Sequence, residues 1–217
     1  MHPIAAVVIA YLLGSIPFAY LAGRARGVDL RQHGSGNLGA TNAVRVLGVP
    51  TGAVVYVLDT LKGFLPVFLL VPMLVAPRLD LWAIAIGVAA IIGHVRPVYL
   101  GFQKGGKGVA TAGGVFLALA PLATALGLAV WVLVFLPTGY VSLASIVTAA
   151  LFPIAMLATG TPVRSALFGV AVAMAAFVVW MHRANIGRLR RGEEHRFRRG
   201  KRDVPEGPES HVVSPRG

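Results

Sequence analysis

Residues 108–163, GVATAGGVFLALAPLATALGLAVWVLVFLPTGYVSLASIVTAALFPIAMLATGTPV, carry no charged side chain over 56 positions. About 20 apolar residues are enough for a helix to cross a bilayer, so this run is too long for one or two crossings. Proline and glycine interrupt it at 120–121, 136–139 and 159–162, which are natural points for a helix to end. We therefore predict three consecutive spans here, and a fourth over 165–181.

The composition of the whole chain is that of an integral membrane protein. Of the 217 residues, 56% are hydrophobic and only 13% are charged, against about 25% charged in a typical soluble domain. This excludes a soluble globular domain, and the high hydrophobicity excludes disorder for most of the chain. The absence of cysteine excludes a thiol nucleophile and a cysteine-based metal site.

The distribution of basic residues predicts the orientation of the spans, because lysine and arginine accumulate on the cytoplasmic side. Basic clusters at 24–45, at 96–107 and from 182 onward should share that side, so an even number of spans separates each pair. One apolar segment, 3–23, precedes the first cluster, and it lacks the preceding positive charge of a secretory signal. The count is seven: an all-α integral membrane protein, a seven-span helical bundle with its N-terminus outside and its C-terminus cytoplasmic.

The chain divides shortly after the last apolar segment and the polar residues that follow it. We assign residues 1–193 to the seven-span membrane domain and residues 194–217 to a basic, disordered cytoplasmic tail. Residues 183–217 carry ten lysines and arginines against five acidic residues. Such a flank is typical of the cytoplasmic side of a membrane protein, so we predict membrane lipid as its partner and no nucleic acid.

A first glycine-rich loop, QHGSGNLGATN, occupies residues 32–42. Its segment 34–39 matches the dinucleotide pattern G-x-G-x-x-G, but this composition offers no strand before it and no parallel sheet, so a Rossmann site is excluded. Glycines allow a backbone to curl until its N–H groups converge on an anion. The loop is therefore a candidate anion site, followed by an interfacial helix that begins around 43–47.

A second glycine-rich loop, GFQKGGKGVAT, occupies residues 101–111. It resembles a P-loop through Lys107, but Gly108 stands where a serine or threonine would hold magnesium, which argues against ATP hydrolysis. Two lysines, several glycines and a helix that begins at Val109 would direct positive charge and N–H donors to one place. We predict a phosphate site without a metal ion.

A third polar segment follows the last span. If that span continues as a helix, His182, Asn185 and Arg188 lie along one flank. His182 is a candidate general base, because histidine titrates near neutrality, although a histidine in this position is often only interfacial. Inside the second span, Asp59 and Lys62 are three residues apart, and we predict a structural ion pair beside the site.

Two weaker signals have alternative interpretations. His94 lies three residues before Pro97, and is either a ligand-binding residue or a hydrogen-bonded cap. Ser142 and Ser145 either bond back to their own helix or present hydroxyl groups to a polar ligand.

Three segments together resemble one family, the bacterial acyl-phosphate-dependent glycerol-3-phosphate acyltransferases (PlsY-type). They are GSGNLGATNAVR (34–45), KGGKGVAT (104–111) and HRANIGRL with GE shortly after (182–193). The resemblance implies transfer of a fatty acyl group from acyl-phosphate to the 1-hydroxyl of glycerol 3-phosphate, giving lysophosphatidate and phosphate. This is the first acylation step of bacterial phospholipid synthesis. It also implies a seven-span fold in the bacterial plasma (inner) membrane, with the active site facing the cytoplasm and no cofactor.

The resemblance and the residue chemistry together suggest roles. The predicted catalytic residues are Ser35, Lys104, His182 and Asn185. The predicted substrate- and phosphate-binding residues are Gly34, Gly36, Asn37, Thr41, Asn42, Arg45, Gly105, Gly106, Lys107, Gly108, Ser142 and Arg188. Because acyl-phosphate is already activated, no covalent acyl-enzyme is expected. Either His182 or an oxygen of a substrate phosphate takes the proton of the attacking hydroxyl.

Other functions remain as alternatives. A small phosphate or anion transporter would also place basic glycine loops at broken helices, but the chain lacks an evident internal repeat. An acyl-CoA-dependent acyltransferase is disfavoured, because no histidine is followed by aspartate five residues later. A structural membrane protein would tolerate substitution in both loops. An enzyme that produces acyl-phosphate is a possible partner.

Overall fold

The computed structural model describes residues 1–197, and this part of the chain is helical with no strand. Two short 3₁₀ turns occupy Val71–Met73 and Val98–Leu100. The ten α-helices are α1 (Pro3–Gly14), α2 (Phe18–Arg24), α3 (Ala40–Leu47), α4 (Val49–Leu70), α5 (Leu79–Val95), α6 (Val109–Leu119), α7 (Pro121–Thr138), α8 (Val141–Ala158), α9 (Ala166–Met181) and α10 (Arg183–Arg191).

Five helical segments among the described residues are long and apolar enough to cross a membrane, and α9 with α10 makes a sixth if the bent pair is one span. The five are Pro3–Arg24, Val49–Met73, Leu79–Leu100, Pro121–Thr138 and Val141–Ala158. The remaining apolar helix, α6, has 11 residues, which at 1.5 Å per residue is about half the thickness of the hydrocarbon core. The predicted all-α class is confirmed, and five to six spans are recognised.

The charge-free run forms three helices whose ends coincide with the predicted breaks. α6 ends at Leu119, and α7 begins at Pro121, because proline fits the first helical position, where no backbone N–H is needed. Gly139 ends α7 with φ of 71°, a left-handed conformation that glycine adopts without steric penalty. The division of this run into α6, α7 and α8 is therefore confirmed.

The spans pack through small residues that let two backbones approach closely. A Cβ atom added at Gly63 of α4 would overlap the carbonyl oxygen of Thr111, and one at Gly114 of α6 would overlap that of Thr60. Contacts of this kind are a common basis of helix packing in membranes. They fix the beginning of α6, and with it the second glycine loop, directly beside α4.

Candidate active site

The first glycine loop is anchored from within by Asn42. The side chain is 1% exposed; its Oδ1 accepts a hydrogen bond from the Ser35 amide at 2.8 Å, and its Nδ2 donates to the carbonyl oxygens of Leu30 and His33, both at 3.1 Å. Asn42 is a predicted phosphate ligand, but its amide is engaged with the loop backbone. Its role in the structure is to hold the loop in shape.

Glycine is required where this loop turns tightly. Gly34 and Gly36 have φ of 62° and 66°, in the region that other residues rarely adopt, and a Cβ at Gly34 would overlap Asn42 Oδ1. The turn leaves Ser35 exposed at the rim, with Asn37 and Thr41 half-buried behind it.

The second glycine loop uses two of its amides for its own folding. The Gly105 N–H donates to the Val95 carbonyl at 2.9 Å and the Gly106 N–H donates to the His94 carbonyl at 3.3 Å. In this structure the turn that follows α5 uses both amides, so the predicted donation to a phosphate would require these two bonds to break. Gly108, with φ of 81°, caps α6, whose first-turn amides have no partner within the helix.

The two loops are joined at their outer edge. Arg31 forms an ion pair with Asp29 at 2.6 Å and donates from Nη1 to Gln103 Oε1 at 3.1 Å. Lys104 follows Gln103 and is exposed. Lys104 therefore lies at the solvent-facing rim of the loop pair rather than at its centre.

The third segment bends where the sequence predicts a continuous helix. α9 ends at Met181 and α10 runs at 53° to it. His182 lies at the bend, 4% exposed, with its Nδ1 2.7 Å from the Val178 carbonyl oxygen. Since a carbonyl only accepts, this contact puts the ring proton on Nδ1 and leaves Nε2 as the acceptor of a neutral imidazole.

Glu194 connects the predicted residues of this segment. Its Oε1 accepts hydrogen bonds from Ser142 Oγ at 2.8 Å and Asn185 Nδ2 at 2.7 Å, and its Oε2 accepts from Arg188 Nε at 2.7 Å. The side chain is 6% exposed. Burial would raise the pKa of Glu194, but the bonds from Asn185, Ser142 and Arg188 outweigh it and hold that pKa below its ordinary value.

Glu194 reaches this position because the chain reverses at Gly192. The Gly192 amide donates to the Leu189 carbonyl at 3.2 Å and the Glu193 amide donates to the Arg188 carbonyl at 2.8 Å, which is the Schellman pattern of helix termination. The sequence did contain a signal for this reversal, namely a glycine directly after a helix that ends in arginines. Sequence reasoning missed Glu194, because it placed the residue in the tail.

Two more residues assigned to the predicted tail also contact the membrane domain. The Phe197 amide donates to the Gly139 carbonyl at 2.9 Å, and Arg196 Nε donates to the Thr138 carbonyl at 2.8 Å. Residues 194–197 thus return to the turn between α7 and α8. The rest of the predicted tail, 198–217, lies outside the described residues.

Lys107 joins the second loop to the third segment by donating a hydrogen bond from Nζ to Asn185 Oδ1. Burial lowers the pKa of Lys107 to about 8, Glu194 opposes this shift, and Arg188, Lys104 and Arg45 reinforce it. Three further cationic side chains therefore lie close enough to Lys107 to act on its charge. Such an excess of positive charge is suited to multivalent anions such as phosphates.

Buried polar atoms around this centre lack a partner within the described chain. They include Asn37 Oδ1, Arg45 Nε and Thr111 Oγ1, which belong to the first loop, α3 and the first turn of α6. Buried polar atoms are nearly always hydrogen-bonded. These three atoms are therefore candidates for contacts with a polar ligand.

The predicted ion pair inside the second span is confirmed. Lys62 Nζ lies 2.7 Å from Asp59 Oδ1, and both side chains are almost completely buried. Of the two interpretations of the serines, the bond to the same helix applies to Ser145, which donates to the carbonyl oxygen of Val141 at 2.8 Å. Ser142 follows neither interpretation, because its hydroxyl donates to Glu194.

Comparison with known proteins agrees with this geometry. Residues 4–192 match the family described as glycerol-3-phosphate acyltransferase. A glycerol-3-phosphate acyltransferase of Geobacter sulfurreducens is 47% identical over 88% of this chain and 95% of its own length. One from Aquifex aeolicus is 45% identical over 88% of this chain and 97% of its own.

Two solved structures are similar in fold as well as in sequence. One is the integral membrane glycerol 3-phosphate acyltransferase PlsY in its glycerol 3-phosphate form, with a TM-score of 0.82 and 42% identity over 90% of this chain and 96% of that one. The other is PlsY in its lysophosphatidic acid form, with a TM-score of 0.79 and 41% identity over 90% and 95%. The resemblance that the three polar segments predict is confirmed, and this chain, a multi-pass membrane protein, belongs to the glycerol-3-phosphate acyltransferase family.

Proposed function

We propose that the protein transfers a fatty acyl group from acyl-phosphate to the 1-hydroxyl of glycerol 3-phosphate, giving lysophosphatidate and inorganic phosphate. The observation that carries this proposal is the chain of hydrogen bonds from Lys107 to Asn185, and from Asn185 and Arg188 to Glu194, which gathers two cationic side chains at one carboxylate. Both substrates bear phosphate, and two phosphates in one site need this excess of positive charge. The names of the relatives and the two forms of PlsY support the acceptor and the product.

The contacts support a division of labour within the site. Lys107, Arg45 and the first-turn amides of α6 hold the phosphate of acyl-phosphate, with Ser35 and Lys104 closing over it from the rim. Asn185 and Arg188 orient glycerol 3-phosphate. Glu194 keeps those two side chains and Ser142 in place through its three hydrogen bonds.

The reaction needs no covalent intermediate and no cofactor. The glycerol hydroxyl oxygen attacks the acyl carbon, the bond from that carbon to the phosphate oxygen breaks, and phosphate leaves with the electron pair. The hydroxyl proton passes to an oxygen of the phosphate, whereas His182 Nε2 accepts a hydrogen bond from the neighbouring 2-hydroxyl of glycerol 3-phosphate and so positions the acceptor. The protonation of Nδ1 supports this role, since it leaves Nε2 as the acceptor.

The helices support a seven-span arrangement in which α6 is a shortened fourth span. The five long segments and the bent α9–α10 pair supply the other six. The N-terminus then lies outside and the polar loops lie on the cytoplasmic side of the bacterial plasma (inner) membrane, where basic residues accumulate. The active site would thereby meet glycerol 3-phosphate from the cytoplasm and the acyl chain from the lipid.

The choice of donor tests the proposal. Purified protein in lipid should release phosphate from palmitoyl-phosphate only when glycerol 3-phosphate is present, and should form an equal amount of lysophosphatidate. Palmitoyl-CoA in a parallel reaction should give no product. Binding of glycerol 3-phosphate without turnover, together with phosphate flux into sealed vesicles, would instead indicate the anion transporter.

A further inference from the structure

A buried cluster of ionisable side chains lies between α4, α5 and the break after α1. Lys62 Nζ contacts Asp59 at 2.7 Å and donates to the carbonyl oxygen of Ile16 at 2.8 Å. His94 Nδ1 lies 3.6 Å from Asp59 Oδ1, and the side chains of His94 and Asp59 are 4% and 2% exposed. Ionisable groups inside membrane spans are expensive to bury and usually have a function.

The opposite edge of the His94 ring lies against the second glycine loop. A Cβ atom at Gly106 would overlap His94 Nε2, and one at Gly105 would overlap the carbonyl oxygen of His94. The same carbonyl accepts the hydrogen bond from the Gly106 amide. The imidazole is thus wedged between the Asp59 carboxylate on its Nδ1 side and the loop on its Nε2 side.

We propose that His94, held by the Asp59–Lys62 ion pair, is a positioning residue. Its ring fixes how closely the second glycine loop approaches α5, and it thereby places Lys107. Lys107 follows Gly106 directly in the sequence, so a shift of the loop moves Nζ away from Asn185. A buried ion pair rarely adds net stability compared with apolar residues of the same size. Its use here is to hold the imidazole in one orientation.

This inference rests on the proposed function, because its first test measures kcat/KM for acyl transfer. The test uses two glycine substitutions in the second loop. Gly106→Ala should lower kcat/KM for acyl-phosphate by about 100-fold, because a displacement of about 1 Å in an active site has an effect of this size. In a His94→Ala background, the same substitution should lower it by only about tenfold, because the obstructing ring is gone while the carbonyl oxygen of Leu38, 2.8 Å from the added Cβ, remains.

Gly105→Ala is the matched control. Its added Cβ meets the backbone oxygen of His94, which a side-chain substitution leaves in place. The effect of Gly105→Ala should therefore be the same with and without His94→Ala. The proposal would be overturned if the losses of kcat/KM from Gly106→Ala and His94→Ala were additive. It would also be overturned if His94→Ala relieved Gly105→Ala as much as Gly106→Ala.

The ion pair is tested by a second cycle. Asp59→Asn alone should lower kcat/KM more than the double change Asp59→Asn with Lys62→Met, because the single change leaves a buried charge without its partner. Thr60→Ala removes only a hydroxyl that bonds to its own helix, and should leave kcat/KM unchanged. A double variant worse than either single change would contradict the role of the pair.

Binding of glycerol 3-phosphate, measured by calorimetry in the same variants, separates this inference from the proposed function. If the wild-type protein binds glycerol 3-phosphate but transfers no acyl group, the proposed function fails. The inference is then judged by the affinity for glycerol 3-phosphate. Gly106→Ala should weaken this affinity less in the His94→Ala background than in the wild-type protein. Independent effects on affinity would overturn it.

Discussion

Replacing Lys107 with methionine should lower kcat/KM for acyl transfer by about 10²- to 10³-fold, which is the usual effect of removing one donor that stabilises developing negative charge. Methionine keeps the length and apolar stem of lysine, so the buried space stays filled. What is lost is the ammonium group that donates to Asn185 and lies among Arg45, Arg188 and Glu194. Steady-state kinetics with acyl-phosphate and glycerol 3-phosphate measure the loss.

Arg26→Met is the control for a simple loss of positive charge. Arg26 is exposed in the turn after α2, and its charge at the aqueous surface is screened by salt within about 10 Å at 0.1 M ionic strength. This variant should retain wild-type kinetics. Near-normal turnover by Lys107→Met would contradict the assignment of Lys107 to a phosphate.

Lys107 also gives the substrate affinity a defined pH dependence. In the unliganded protein the pKa of Lys107 is about 8, whereas a bound phosphate dianion favours the ammonium form and raises that pKa. Below pH 8 the Lys107 ammonium is already protonated, so the affinity for acyl-phosphate should not change with pH through this group. Above it, binding must take up a proton, so the affinity should fall by as much as about tenfold per pH unit. Lys107→Met should lack this decline, and a flat wild-type profile between pH 8 and 10 would contradict the account.

Glu194→Gln should lower kcat/KM by about 100-fold, mainly through a higher KM for glycerol 3-phosphate. The carboxylate accepts from three donors, Ser142, Asn185 and Arg188. In glutamine, an NH₂ group replaces one of the two acceptor oxygens. Because both oxygens of Glu194 accept hydrogen bonds, this NH₂ group would face at least one donor and lose that bond. Asn185 and Arg188 then lose the orientation in which they meet the substrate.

Glu193→Gln is the matched control, because it makes the same chemical change one residue earlier. Glu193 is 56% exposed and pairs with Arg191 at the surface, and exposed pairs contribute about 1 kcal/mol or less. Its kinetics should match those of the wild type. Equal losses in the two variants would show that the negative charge of this segment, rather than the contacts of Glu194, determines activity.

The helical architecture was predictable because its determinants are local. Hydrophobicity identifies spans without reference to their neighbours, and the breaks at Pro121 and Gly139 follow from the geometry of proline and glycine. The polar loops were recognisable for the same reason, since residues 32–42 and 101–111 are conspicuous in so apolar a chain. The ion pair of Asp59 and Lys62 follows from their spacing of three residues on a helix.

Features that depend on contacts distant in sequence were not predictable. The bend at His182 and the return of Glu194 to Ser142, 52 residues earlier, arise from packing between segments. Spacing alone also did not show that the Gly105 and Gly106 amides bond to Val95 and His94. Glycine-rich composition indicates that a backbone can cradle an anion, whereas the tertiary structure decides which of its amides remain available.

The central claim is direct transfer between two substrates held by their phosphates, and a rapid-mixing experiment tests it most directly. Purified protein is mixed with palmitoyl-phosphate in the absence of glycerol 3-phosphate, and free phosphate is measured during the first turnover. The account predicts no early release, followed by equal amounts of phosphate and lysophosphatidate once glycerol 3-phosphate is added. A burst of phosphate equal to the amount of enzyme before the acceptor is added would reveal a covalent acyl-enzyme and contradict the account.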